Sequence, residues 1–337
     1  MRTIRVNLIY RRAYTSQFSI ERIFDGLISY FQLTSHIQVS KKVVPFYNNT
    51  VFRRFKNIIW TFRNQGQINH VTGDIHYIAL GLTRQTTILT IHDLYFMDVA
   101  KPLTLYIYYL LWLKLPLLRV QYVTVISEAT KKELLRRIYF PADRIRVIPN
   151  YYDPEYKPVP KLTFPNKPVL LQIGTKSNKN IPRLIEALHG VNCTLIIIGK
   201  VKKEITALLL KFKIDYIWKE NLSDKEVRKE YALCDMVCFI SILEGFGMPI
   251  LEAQATGRVV ITSNVSSMPE VAGDGAYYVN PWDVLAIREG ILTLIKNAVL
   301  RAELITAGYE NVKRFHISRI AQMYASLYQE VLHQQTT

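Results

Sequence analysis

Two glutamates bracket a glycine-containing turn in the run Glu244-Gly245-Phe246-Gly247-Met248-Pro249, with Glu252 three residues beyond it. Gly245 and Gly247 let the backbone approach a ligand closely, and Pro249 suits the first turn of a helix whose N-terminal dipole favours a phosphate. The seven residues between Glu244 and Glu252 set the first carboxylate at a strand end and the second about one turn into the helix, so both can face one ligand. A second set of charges lies upstream, where an apolar run ends at Gly174 and Lys176 and Lys179 follow at a helix start. Two ammonium groups there suit a diphosphate, because they offset charge developing on a leaving oxygen.

The surrounding chain has the rhythm needed to position these groups. From Met236 to Pro281 an apolar run, a tight loop, a helical stretch, a second apolar run and a polar turn follow one another, as in a βαβ unit. Open α/β sheets bind ligands at the carboxyl ends of their strands, where helix N-termini present N–H groups. Further strands are predicted at Ile4-Val6-Leu8, at Tyr122 to Val125 with Ser127 as the next helix's N-cap, at 144–150, at Val169 to Ile173 and at 195–199. Helices are expected from Ser19, an N-cap candidate, to about Leu33, over residues 50–62, over 102–114 with Tyr106, Tyr109, Leu110 and Leu113 as core, after Ser223 or Asp224, and over 314–332. At 337 residues the chain is long enough for two domains. Pro149, Pro154, Pro158 and Pro160 mark the linker, giving domains 1–150, with a C-terminal helix at about 316–333, and 151–315.

The string Ser241-Ile242-Leu243-Glu244-Gly245-Phe246-Gly247-Met248-Pro249-Ile250-Leu251-Glu252-Ala253, continued by Gly257 and Ser267-Met268-Pro269-Glu270-Val271, resembles the signature of glycosyltransferase family 4. The resemblance implies an α/β GT-B fold, two doubly wound Rossmann-like domains facing across a cleft, with the C-terminal helix crossing back to the first. It implies retaining transfer from a nucleotide-diphosphate sugar, UDP- or GDP-linked, with no cofactor and no metal. No Asp-x-Asp string occurs where a GT-A enzyme would need one. Gly174, Lys176, Gly245, Phe246, Gly247, Met248 and Glu252 would then bind the donor, while Lys179 and Glu244 act at the diphosphate and sugar. Lys179-Asn180 matches the family's Lys-Asn or Lys-Gly, and the nucleobase would be read near Ile217, Trp218 and Lys219. The Thr90-Ile91-His92-Asp93-Leu94 string is similar to the family's first-domain histidine motif, which assigns His92 to the sugar.

On the acceptor side, the family's glycine-rich loop after the first strand is replaced by Arg11-Arg12-Ala13-Tyr14, with no glycine. Arg11 and Arg12 could grip a phosphate bidentately, with Tyr14 beside them. Gly73-Asp74-Ile75-His76 offers His76 as another acceptor contact.

Charge is lopsided: residues 1–150 carry 21 Lys and Arg against 8 Asp and Glu, a net of +13, and the rest 22 against 19, a net of +3. Such a surface could meet anionic lipid, a pyrophosphate-linked acceptor or nucleic acid, but no nucleic-acid module accompanies it, so that partner is not expected. Phe52, Phe55, Ile59 and Phe62 recur at helical spacing among Arg53, Arg54 and Lys56, a pattern that serves either an interface or a core. No secretory signal is evident, and the most apolar stretch, 11 residues from Leu103 to Leu113, is too short for the roughly 20 residues of a membrane span. Cys193, Cys234 and Cys238 lie in or beside apolar runs without a zinc pattern and read as buried thiols. A cytoplasmic protein, or one peripheral to the inner face of the cytoplasmic membrane, is expected. Its function is read as sugar transfer to a saccharide or lipid-linked saccharide in envelope polysaccharide synthesis. The alternative is a non-catalytic or nucleotide-sugar-binding GT-B module that binds anionic membrane through its basic N-terminal domain.

Overall fold

A computed structural model describes residues 3–12, 19–34, 36–94, 97, 102–161, 163–200 and 202–336. The chain forms two compact units, Met1–Tyr151 with Ile317–Thr337, and Tyr152–His316.

The first unit holds β1 (Ile4–Tyr10), α1 (Ser19–Thr34), β2 (Ile37–Val43), α2 (Val51–Arg63), β3 (Ile68–Val71), β4 (Thr87–Ile91), α3 (Pro102–Tyr108), β5 (Tyr122–Val125), α4 (Glu128–Arg137) and β6 (Ile145–Val147). Its sheet runs β2-β1-β3-β4-β5-β6, parallel throughout, with Val6 opposite Val39 on one side and Ile68 on the other. β3, β4 and β5 are buried along their whole length, with the polar Asn69, His70, Thr87, Thr90 and Thr124 buried among their apolar residues. Ser127 caps α4 as expected, its Oγ accepting from Thr130 N at 3.0 Å. α1 begins at Ser19.

The second unit follows with β7 (Val169–Ile173), α5 (Ile181–Ala187), β8 (Thr194–Ile198), α6 (Lys203–Lys211), β9 (Tyr216–Lys219), α7 (Asp224–Leu233), β10 (Met236–Phe239), α8 (Met248–Thr256), β11 (Val259–Ser263), α9 (Met268–Ala272), β12 (Tyr277–Val279), α10 (Val284–Lys296) and α11 (Ala298–Val312). Its sheet, also parallel, runs β12-β11-β10-β7-β8-β9. Ser223 and Glu226 form a reciprocal capping box at the start of α7. All three cysteines are buried free thiols.

The last helix, α12 (Ile317–Thr336), belongs to the first unit, where Ile320, Tyr324, Leu327, Tyr328 and Val331 pack with Phe24, Leu27 and Phe31 of α1. This is the return of the C-terminal helix that the family resemblance implied.

Two helices depart from their sequence reading. Past Tyr108, α3 continues through a π-helical turn, Tyr109–Lys114, into Leu115–Leu117, so Pro116 lies within a helical stretch rather than ending it. Leu113 is buried, but Tyr106 is exposed. α2 buries Asn57 and Thr61 and turns its apolar stripe to solvent.

Candidate functional site

In the second unit the chain winds from β7 outward through β8 and β9, then returns to β10 and winds the other way through β11 and β12. The β7/β10 pair is therefore the switch point, where the loops leaving two adjacent parallel strands part to opposite sides and leave a crevice at their carboxyl ends. Register places Leu170 beside Met236 and Leu171 beside Val237. The loops that leave this pair are 174–180 and 240–247, the two stretches that the sequence singles out.

Lys179 Nζ lies 2.6 Å from Glu244 Oε1, with both side chains largely buried. The ammonium also sits over the Phe239 ring, 4.4 Å from its centroid, a cation–π contact that fixes it from below. Asn178 Nδ2 donates to Glu244 Oε1 at 3.0 Å and to the Leu243 carbonyl at 2.8 Å, while Ile242 N donates to the Asn178 carbonyl at 2.8 Å. The two loops are thus laced together by residues 178 and 242–244. Gly174 has φ +84°, and a Cβ there would stand 2.9 Å from Lys179 Cε. A side chain at 174 would therefore displace the lysine. Asn180, left-handed at φ 56°, is buried and donates to the Pro281 carbonyl at 2.6 Å, so it shapes the turn into α5. Lys176 is exposed at the rim of the same loop.

Gly247 has φ +124° and stands at the N-cap position of α8, with Pro249 in the first turn. Ser266 and Ser267 hold the loop from beneath: Ser266 Oγ donates to the Glu244 carbonyl at 2.8 Å, and Ser267 Oγ donates to the Glu244 and Phe246 carbonyls. The Phe246 side chain is buried edge-on against Phe315, with centroids 5.7 Å apart. Only its backbone is left for a ligand. Met248 is half-buried at the helix start.

Glu252 follows one turn into α8, and its Oε2 accepts a hydrogen bond from the phenol of Tyr231 on α7. Tyr231 is fully buried, packs edge-on against Tyr156 at 5.3 Å between centroids, and has its pKa raised well above 10 by burial and by the neighbouring carboxylate. It therefore serves Glu252 as a neutral donor. Neither Tyr231 nor Asn178 was assigned a role from sequence. Tyr231 reads there as one more apolar position of a helix 21 residues before Glu252, and nothing local links the two. Near the expected base-reading strand, Trp218 Nε1 donates to the Gly199 carbonyl at 2.7 Å and Lys219 pairs with Glu230 at 2.7 Å.

In the first unit, His92 follows β4 and its Nε2 donates to the Thr72 carbonyl at 2.7 Å. A carbonyl only accepts, so Nε2 carries the proton and Nδ1 remains the ring's acceptor. Desolvation lowers the His92 pKa below 6.5 despite the opposing pull of the Thr72 bond and Asp74, which keeps the ring neutral. Gly73, at φ +131°, permits this placement, since a Cβ there would come within 2.5 Å of His92 Cδ2.

The expected acceptor residues behave differently. Arg11 follows β1, at the β1/β3 switch point of the first sheet, but its guanidinium is taken by two carboxylates: Nε pairs with Glu21 at 2.7 Å and NH1 with Asp74. Arg12 donates to the Pro45 carbonyl at 2.8 Å and lies 4.8 Å over the Tyr47 ring. The expected bidentate phosphate grip by this pair is therefore not formed. His76 is buried, with Nδ1 donating to the Trp112 carbonyl at 2.7 Å. His76 is thus a structural residue of the core, not an acceptor contact. Tyr14 lies outside the described residues. Among the described residues no three His, Cys, Asp or Glu side chains are grouped to hold a metal ion, and no helix is long and apolar enough to cross a membrane.

Two family models match consecutive stretches of this chain, Glycosyltransferase Family 4 over residues 36–156 and Glycosyl transferases group 1 over residues 157–311. The chain belongs to the GT-B glycosyltransferases of this group 1/family 4 type. Among curated proteins it is similar to O-antigen chain mannosyltransferase B of Escherichia coli, 30% identical over 216 residues, which are 57% of this chain and 56% of that protein. It is also similar to O-antigen chain mannosyltransferase RfbU of Salmonella typhimurium, 27% identical over 259 residues, 73% of this chain and 69% of that one. The chain thus spans about half the length of the first relative. Solved structures share its fold: a glycosyltransferase from Rickettsia africae (TM-score 0.76, 18% identity, 98% of this chain and 99% of that one), and Anabaena HepE in complex with UDP-glucose (TM-score 0.78, 16% identity, 96% and 99%).

Proposed function

We propose that the protein is a retaining, metal-independent glycosyltransferase that moves a hexose from a nucleotide-diphosphate donor, UDP- or GDP-linked, to a hydroxyl of a saccharide or lipid-linked saccharide in envelope polysaccharide synthesis. The observation that carries this reading is the meeting of Lys179 and Glu244 at the β7/β10 switch point, directly before a helix N-terminus built on Gly247 and Pro249. The mannosyltransferase relatives and the UDP-glucose bound by HepE support the substrate class.

On this reading the protein's work is positioning and charge stabilisation. Lys179, with Lys176 at the rim and the amides of Gly245 to Met248, stabilises the departing diphosphate. The lysine offers three donors, so it can keep Glu244 while turning another N–H to a phosphate oxygen. Glu244 orients sugar hydroxyls. Glu252, which accepts from Tyr231, receives the ribose hydroxyls. His92, neutral, presents Nδ1 as acceptor to a sugar hydroxyl. The acceptor hydroxyl attacks the anomeric carbon from the face the diphosphate leaves, the bond to the diphosphate oxygen breaks, and that phosphate takes the acceptor's proton. A lipid-linked acceptor at the inner face of the cytoplasmic membrane fits the basic first half better than a soluble one.

The test is thermal stabilisation by a panel of UDP-, GDP-, ADP- and CMP-sugars with EDTA present, repeated on Glu252→Ala. A shift for one nucleotide that the variant loses, followed by transfer with the donor's anomeric configuration kept, is the expected result. Binding without transfer to any saccharide acceptor would favour the non-catalytic module, and a requirement for a divalent cation would overturn metal independence.

A further inference from the structure

Helix α2 is mounted with Asn57 and Thr61 inward, beside Ile58 and Trp60, which pack on the core. Asn57 is buried and fully engaged: Nδ2 donates to the Phe46 carbonyl at 2.9 Å and the Tyr77 hydroxyl at 3.0 Å, and Oδ1 accepts from Phe46 N at 3.1 Å. Thr61, also buried, donates to the Ile58 carbonyl at 2.8 Å. Gly81 lets the helix lie flush on the unit, since a Cβ there would stand 2.3 Å from the Ile58 carbonyl oxygen. Backbone contact and paired amide groups therefore fix the rotation of α2 about its own axis.

That rotation turns Phe52, Phe55, Ile59 and Phe62 outward, 65%, 57%, 36% and 68% exposed. At 3.6 residues per turn the four fall within an arc of roughly 80°. Isolated exposed hydrophobics need no explanation, but three phenylalanines and an isoleucine in one stripe mark an interaction face. Lys56 and Arg63, both exposed, flank the stripe, and Lys56 Nζ lies 4.4 Å over the Phe52 ring. Between Asp25 and Asp74 the sequence has no Asp or Glu, and it carries Lys41, Lys42, Arg53, Arg54, Lys56 and Arg63.

We propose that α2 is the surface by which this protein docks on an anionic lipid bilayer, lying in the plane of the interface. Phe52, Phe55, Ile59 and Phe62 enter the acyl boundary, and Lys56 and Arg63 meet the headgroups. Charge selects this occupant. A second copy docked face to face would bring two such acid-free segments together and oppose like charges, whereas a leaflet containing anionic lipid complements them.

The experiment is vesicle co-sedimentation of the full chain, with phosphatidylcholine alone and with phosphatidylcholine mixed with phosphatidylglycerol. It needs neither donor nor acceptor, so its outcome is independent of the reaction. The wild type is expected to sediment with the mixed vesicles, less as salt rises, and weakly with the neutral ones. Replacing Phe52, Phe55 and Phe62 together by Ser is expected to lower vesicle affinity at least about tenfold, with the melting temperature kept because the side chains are exposed. Lys56→Gln with Arg63→Gln is expected to remove most of the preference for anionic lipid, about an order of magnitude. Failure of the wild type to sediment, or equal sedimentation of the triple Ser variant, would overturn the proposal. So would a dimer in light scattering that the Ser variant abolishes, with no vesicle binding, since the face would then belong to a second copy.

Discussion

Lys179 Nζ and Glu244 Oε1 stand 2.6 Å apart where the second sheet reverses its strand order, and Phe239 supports the ammonium from below. Lys179→Ala removes the one largely buried cation of the two loops, and kcat/KM is expected to fall by about 10²–10³, on the scale of a lost oxyanion donor. The fall should reside mainly in kcat, because the charge on the leaving diphosphate grows in the transition state. Steady-state kinetics with the donor that gives thermal stabilisation will show it. A fall confined to KM would make Lys179 a ground-state ligand only.

Gly174 protects the same lysine. At φ +84° a β-carbon costs backbone energy, and its contact with Lys179 Cε would push the side chain off Phe239 and Glu244. Gly174→Ala is expected to destabilise by about 1–2 kcal/mol through the left-handed backbone, and to lower turnover of the folded enzyme severalfold beyond that. Chemical denaturation beside kinetics separates the two effects.

Tyr231 donates its phenolic hydrogen to the Glu252 carboxylate. Tyr231→Phe removes the hydroxyl while keeping the ring against Tyr156, leaving the carboxylate one hydrogen bond short at a cost of about 1–3 kcal/mol. If Glu252 receives the ribose hydroxyls, donor KM rises with kcat nearly unchanged. An unchanged KM, with only the melting temperature lowered, would reduce Tyr231 to a packing residue.

The sequence reading and the structure agree where the signal is local. Continuous apolar runs place buried parallel strands, Ser127 and Ser223 cap their helices, and the Glu244–Glu252 string marks the switch-point loop because glycine and proline have position-specific meaning. Long-range pairing lies outside that signal. Arg11 looks like a phosphate grip until the fold brings Glu21 and Asp74 against it. His76 looks like a functional histidine until the fold buries it and turns its Nδ1 to the Trp112 carbonyl, thirty-six residues on. α2 is the clearest case: its periodicity was legible, but amphipathicity alone does not say which face turns inward, and here Asn57 and Thr61 find partners that the phenylalanines do not.

Arg11 is accordingly expected to matter for folding before chemistry. It and Glu21 are each about nine-tenths buried, and removing one member of such a pair leaves the other charged and desolvated. Arg11→Met should cost about 3–5 kcal/mol in urea denaturation. At a temperature where the variant stays folded, donor and acceptor KM should remain near the wild-type values. A selective rise in acceptor KM would restore Arg11 to the binding machinery.

His70 sets an acid limit on the first unit. Its ring lies wholly inside the core, Nδ1 2.8 Å from the Tyr328 hydroxyl and Nε2 2.7 Å from Thr90 Oγ1, so it joins α12 to β3 and β4. Burial, with a small push from His92, lowers its pKa from 6.5 to about 3. Because the folded-state value is below the unfolded one, the unfolded chain binds the extra proton first. The stabilisation is complete above pH 6.5 and is lost as pH falls toward 3, by about 1.4 kcal/mol for each pH unit. Urea midpoints should therefore drop between pH 7 and pH 5 by the equivalent of about 2 kcal/mol from this residue. His70→Gln will be less stable at neutral pH but should show a shallower slope. Some slope will persist, since His76 and His92 are lowered by burial in the same sense. An unchanged slope in the variant would mean that His70 does not take up the proton that unfolds this unit.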